Sequence, residues 1–311
     1  MLEAAVRHQN AEKRIVESVE LLLDARARIG ESPTWFAQTE ALYWLDIKEP
    51  ALHRLSCDGR ARRWPVKSDI GAFALLEDAA GAVVALRSGL FRLDFKTGAA
   101  RLLAEAPYDP ALFRFNEGIC DAQGRFWIGV MFDPLATPHR MTGRKGLLHH
   151  FTFAGGLAAG ADASDLHNGF AWNRANDEFL WSHSKEGCVY RASYDAASAT
   201  MGRPEPFVRV ADRGHIPDGA AMDEEGCYWC AIHGAGALHR YDDSGRLNAR
   251  IALPVSQPTM CAFVGRNLDE MVITSAREGL SPAQLAREPH AGGVFKLKPG
   301  VRGLPRPCVV R

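Results

Sequence analysis

A short pattern recurs six times along this chain, and no other feature narrows the possible folds as far. Its clearest copy is His215-Ile216-Pro217-Asp218-Gly219-Ala220-Ala221-Met222-Asp223-Glu224-Glu225-Gly226-Cys227-Tyr228-Trp229. An apolar run from Gly219 to Met222 meets an acidic turn closed by Gly226, and a second apolar run continues from Cys227 to Ile232. Two strand-like runs around a polar glycine turn make a β-hairpin. Asp218 stands five residues before Asp223, the first residue of the turn. Asn116 stands at the same phase before Asp121, Asn168 before Asn173 and Glu31 before Phe36, while Phe73 and Pro258 mark two weaker copies. The copies follow one another at roughly 40 to 50 residues, the interval of four-stranded propeller blades. The expected fold is therefore all-β, a six-bladed β-propeller.

A six-bladed ring uses nearly all of the 311 residues and cannot be cut without exposing blade faces. Residues 17–311 are thus expected to form one domain, preceded by a polar, Ala-rich extension over residues 1–16. Val19 to Ala25 reads as a strand that completes the last blade and closes the ring, which removes two open sheet edges. Within the third copy, the irregular stretch from Met131 to Lys145 is long enough to serve as a lid. Ser281-Pro282 is a helix start.

Composition excludes several classes of partner. Thirty-seven basic residues balance thirty-seven acidic ones, so neither nucleic acid nor an anionic membrane is an expected partner. Seven scattered cysteines suit reduced thiols in the cytoplasm better than a disulfide framework. Cys227 and Cys230 lie an odd number of residues apart, which puts them on opposite faces of an extended strand and argues against a redox or zinc pair. No membrane span or signal-peptide pattern is evident in the sequence.

Equivalent positions in a closed ring lie at equivalent distances from its axis. Glu31, Asn116, Asn168 and Asp218 would then converge at one mouth of the channel. Asp and Asn before Gly are common turn residues, but turn chemistry does not explain four oxygen side chains sharing one register. An all-oxygen set with few charges suits a hard or borderline divalent cation. Such an ion polarises carbonyl groups and activates water. No motif for a serine or cysteine nucleophile or for a His-spaced zinc site is present. Arg114, two residues before Asn116, would share its strand face, where it would either donate to substrate hydroxyls or a carboxylate or stand in a structural salt bridge. His53, His149, His150 and His239 lie in strand-like runs and read as structural.

These stretches together resemble the SMP-30/gluconolactonase family of six-bladed propeller lactonases. The matching segments are Gly30-Glu31-Ser32-Pro33-Thr34-Trp35, Arg114-Phe115-Asn116-Glu117-Gly118, Asn168-Gly169-Phe170-Ala171-Trp172 and Pro217-Asp218-Gly219. Thr274 to Leu280 and Ala291 to Phe295 add a C-terminal match, and the likeness runs from about Val19 to the end. The resemblance implies one divalent metal ion, whether Ca2+, Zn2+, Mn2+, Mg2+ or Fe2+, held by Glu31, Asn168 and Asp218. It implies substrate contacts at Arg114 and Asn116. Two positions depart from the family pattern: Glu117 replaces an Asp, and His183 stands where an Asp is usual. Both are expected near the substrate, with His183 neutral and either a contact of the site rather than a metal ligand or a structural histidine bonded to neighbouring backbone. The expected reaction is hydrolysis of a sugar-acid lactone of the gluconolactone, xylonolactone or arabinonolactone type, with Asp218 as general base. The alternative is a non-catalytic propeller that binds a metal or a protein partner.

Overall fold

Apolar runs cut at regular intervals by Asp, Asn and Gly turns fold into six antiparallel sheets arranged as a six-bladed β-propeller. The computed structural model describes residues 18–136, 143–210 and 214–310. The innermost strands, in ring order, are Gly30–Phe36, Ile70–Leu75, Phe113–Cys120, His167–Trp172, Ile216–Met222 and Pro258–Val264. They contact one another around the channel. Second strands such as Ala41–Asp46 and Gly81–Leu86 are buried along their whole length, because neighbouring blades cover both faces. Outer strands such as Ala61–Pro65 are largely exposed.

The ring closes through the N-terminal strand. Glu20–Leu23 pairs antiparallel with Val294–Leu297 and becomes the outer strand of the sixth blade. Residues 1–16 and the central part of the 131–145 insertion lie outside the described residues. Met131 and Phe132, which the sequence assigned to that insertion, continue the strand Phe126–Phe132. The helix is Pro282–Arg287, with Ser281 in a reciprocal capping box with Gln284. No helix among the described residues is long and apolar enough to cross a membrane.

The turn acids have a structural task that the repeat alone does not reveal. Asp223 Oδ1 accepts from the N–H groups of Glu225 and Cys227, and Oδ2 accepts from Trp229 Nε1 and Arg240 Nε, both at 2.8 Å. Asp121 does the same for Gln123, Arg125 and Trp127. Each carboxylate ties its hairpin turn to the indole of the following strand. Cys227 belongs to this turn and Cys230 to the strand after it, and all seven cysteines are free.

The C-terminal segment crosses the end of the ring where the inner strands finish. The N–H of Gly303 donates to Leu268, Leu304 to Met222, Val309 to Leu75 and Val310 to Gly124. One mouth of the channel is therefore spanned by the tail, and the carboxylate and carboxamide register lies towards the other.

Candidate functional site

Every inner strand breaks register near the open mouth. The irregularities fall between Glu31 and Thr34, Ile70 and Ala72, Asn116 and Gly118, Asn168 and Ala171, Pro217 and Ala220, and Pro258 and Met260. A bulge re-aims the side chains beside it, which strict alternation along a strand cannot do. Local backbone supports the effect. Ser32, just after Glu31, has φ 53, and Gly169, just after Asn168, has φ 66. A Cβ on Gly169 would also meet Ser182 Oγ and Tyr228 Oη at 2.4 Å, so only glycine fits there.

Four of the expected residues carry the acid–amide set, and all are buried: Glu31, Asn116, Asn168 and Asp218. Glu117, the extra residue of its bulge, adds a third carboxylate. Burial pushes the Glu31 carboxyl up to about 8, with repulsion from Glu117 adding to it. Burial and the charges of Glu31 and Glu117 push Asp218 well above the usual carboxylate range. Glu117 rises to about 7 through burial, opposed by the N–H groups of Phe170 and Gly169. Those donors lie 2.7 Å from Oε1 and 2.8 Å from Oε2, so Glu117 grips the bulge of the fourth blade just beyond Asn168. Three buried carboxylates with raised proton affinity, Glu31 and Asp218 partly through neighbouring carboxylate charge, are a place where positive charge is missing.

The carboxamides are bonded to one another. Asn116 Nδ2 donates to Asn168 Oδ1 at 2.6 Å and to the His167 carbonyl at 2.9 Å. Asn116 Oδ1 accepts from Arg114 Nη1 at 2.8 Å. Arg114 in turn is anchored through Nε to Asp133 Oδ2 at 3.0 Å, and the same oxygen accepts from Arg87 at 2.8 Å and Lys48 at 3.1 Å. Against the cost of burial, Arg114, Lys48 and Arg87 hold Asp133 down to about 2. Asp133→Ala would leave two buried guanidinium groups without their shared partner, a loss of about 3–5 kcal/mol. A melting temperature that falls by several degrees is expected, and one within about a degree of the parent would show that Asp69, which also accepts from Arg87 at 2.8 Å and Lys48 at 2.9 Å, alone suffices.

His183 bonds to partners outside this set. Its ring is buried in a seam between the third and fourth blades, where Nε2 meets Asp162 Oδ2 at 2.8 Å. His167 Nε2 and Trp181 Nε1 reach the same oxygen at 3.0 and 2.9 Å. The polar atoms of Asp162, His167 and His183 lie within 4.8 Å of one another and are of metal-ligating type. Three nitrogens converging on one oxygen is nevertheless the geometry of donors around an acceptor. Against the cost of burial, His167 and His183 hold Asp162 below the usual carboxylate range.

Two residues near the site are not evident from the repeat. Arg306 reaches in from the tail, with Nη1 3.5 Å from Thr34 Oγ1 and Nη2 3.3 Å from the Ala220 carbonyl, and its charge opposes the rise of Glu31 and Glu117. Its sequence signal is an arginine held between Pro305 and Pro307. Ser184, fully buried, accepts from Asn168 Nδ2 at 3.0 Å and donates to the Pro217 carbonyl at 2.6 Å. Its only sequence signal is a place directly after His183.

The chain is similar to several known proteins. Residues 29–277 match the family described as SMP-30/Gluconolactonase/LRE-like region. The chain is 33% identical to a 6-deoxy-6-sulfogluconolactonase from Pseudomonas putida, over 94% of this chain and 98% of that protein. It is 36% identical to an L-arabinolactonase from Azospirillum brasilense, over 88% of this chain and 90% of the relative. The crystal structure of a calcium-binding protein, regucalcin, from Agrobacterium tumefaciens superposes with a TM-score of 0.87 at 28% identity, covering 94% and 97% of the two chains.

Proposed function

Since the chain belongs to the SMP-30/gluconolactonase/LRE-like family and is a lactone-hydrolysing enzyme, we propose that it opens a sugar-acid lactone with the help of one divalent metal ion held by Glu31, Asn168 and Asp218. The observation that carries this reading is the burial of three carboxylates, Glu31, Glu117 and Asp218, in the same set of inner-strand bulges as the Asn168 amide oxygen. Such a donor set fits a hard or borderline divalent cation. When bound, the ion would polarise the lactone carbonyl and lower the pKa of water.

The chain's own groups supply the rest. Asp218, beside the ion it would help to hold, is the group to take the proton from the attacking water. Arg114 and Asn116 lie where sugar hydroxyls would be oriented, and the Asp133 network keeps Arg114 from swinging away. Glu117 has both oxygens engaged by the fourth blade and His183 is engaged by Asp162, so each would influence substrate choice by holding that blade in place. A protein-binding propeller has no use for repelling carboxylates at the centre of the ring.

Chelated protein should be inactive on gluconolactone, xylonolactone and arabinonolactone. Adding back Ca2+, Zn2+, Mn2+, Mg2+ or Fe2+ one at a time should restore activity with at least one ion. Full turnover by a preparation shown to be free of metal would sink the metal-dependent reading.

A further inference from the structure

A carboxamide has nearly the same shape whichever way it is turned, yet only its oxygen can serve a cation. The orientation of Asn168 is set by a chain of hydrogen bonds with one allowed direction. Arg114 has only donors, so the atom of Asn116 it meets at 2.8 Å is the oxygen. Asn116 then presents Nδ2 to Asn168, and the atom receiving it at 2.6 Å is Oδ1. Asn168 Nδ2 is left to donate to Ser184 Oγ at 3.0 Å. The single hydroxyl proton of Ser184 goes to the Pro217 carbonyl at 2.6 Å, which can only accept. The two ends fix the sense of all four bonds. Every side chain in the chain is buried, so water does not compete for them.

The last acceptor is the carbonyl of the peptide linking Pro217 to Asp218. One hydroxyl thus touches both the amide of Asn168 and the peptide that carries Asp218, across the boundary between the fourth and fifth blades. We infer that Ser184 is a positioning residue for the metal site, setting the amide of Asn168 and the backbone of Asp218 together. This rests on the assignment of Asn168 and Asp218 as metal ligands. Losing a hydrogen-bond partner behind a metal ligand typically weakens metal affinity about 10- to 100-fold. Without Ser184 the Asn168 Nδ2 group loses its acceptor, and the Pro217 carbonyl loses the Ser184 donor.

The test is a calorimetric titration of Mn2+ into chelated full-length protein, run for the parent, Ser184→Ala, Ser184→Thr and Asn168→Ala. Ser184→Ala should weaken Mn2+ binding about 10- to 100-fold, and Ser184→Thr, which keeps the hydroxyl, should recover most of it. Lactone turnover of Ser184→Ala should return towards the parent's when Mn2+ is raised to saturation. Should Ser184→Ala fail to fold, Ser184→Cys keeps the volume with a weaker hydrogen bond and gives the same readout. The inference is overturned if the folded serine variant binds Mn2+ with the parent's affinity while Asn168→Ala loses it. If Asn168→Ala also binds Mn2+ as the parent does, the ligand assignment itself is wrong and the role of Ser184 goes with it.

Discussion

Asp218→Asn should lower kcat/KM for a sugar-acid lactone by at least about 10³-fold while leaving the propeller folded. Loss of a general base alone costs about 10²–10⁴-fold, and here the same substitution also removes a charged metal ligand. The asparagine keeps the side-chain shape, so the bulge between Pro217 and Ala220 has no steric reason to change. The metal-free variant should melt no lower than the metal-free parent, because a carboxylate repelled by Glu31 and Glu117 has been neutralised. Glu31→Gln should behave differently, chiefly raising the metal concentration needed for activity, since Asn168 and Asp218 remain. Steady-state kinetics at saturating Mn2+ separates the two variants. A folded Asp218→Asn protein with near-parent turnover would remove Asp218 from the catalytic machinery.

The metal-free protein should lose stability as pH rises from about 4.5 to about 8, and a saturating divalent cation should abolish most of that loss. The range follows from Glu31, whose carboxyl rises from 4.5 to about 8 on folding, through burial first and the Glu117 charge second. Between those values the folded state holds a proton that the unfolded chain has released, so unfolding becomes easier with each increment of pH. The stabilising contribution is complete below the unfolded value and is lost as pH passes through the folded one. Asp218 and Glu117 shift in the same direction and add to it. A change of a few kcal/mol over the window is expected. Melting curves of chelated protein across this range, with and without Mn2+, measure it. A melting temperature that is flat or rises with pH in the chelated protein would contradict a repelling carboxylate set.

Most of the fold was legible because its signals are local. Hairpin turns announce themselves within a few residues, as at Asp223-Glu224-Glu225-Gly226, and a repeat of such hairpins leaves a closed ring as the way to bury both faces of each blade. The closing strand was legible too, from an apolar run before the first copy, and the structure places it at Glu20–Leu23. The register that marks Glu31, Asn116, Asn168 and Asp218 belongs to the same repeat, and for this reason the candidate site could be proposed from spacing.

Other features needed the tertiary structure, because they depend on side chains brought together from distant parts of the chain. Glu117 resembles a conservative replacement in the sequence, yet its two oxygens hold the N–H groups of Gly169 and Phe170, more than fifty residues away. His183 follows Asn168 in the same blade, yet its partner is Asp162 on the outer strand of the preceding blade. Ser184 and Arg306 carry no periodic signal at all. One acts across a blade boundary, and the other is delivered by a tail that passes beneath the ring. A repeat fixes which residues share a radius because that depends only on strand period and ring closure. Which of them bond, and in which direction, depends on bulges and packing between blades, which leave no mark on local sequence.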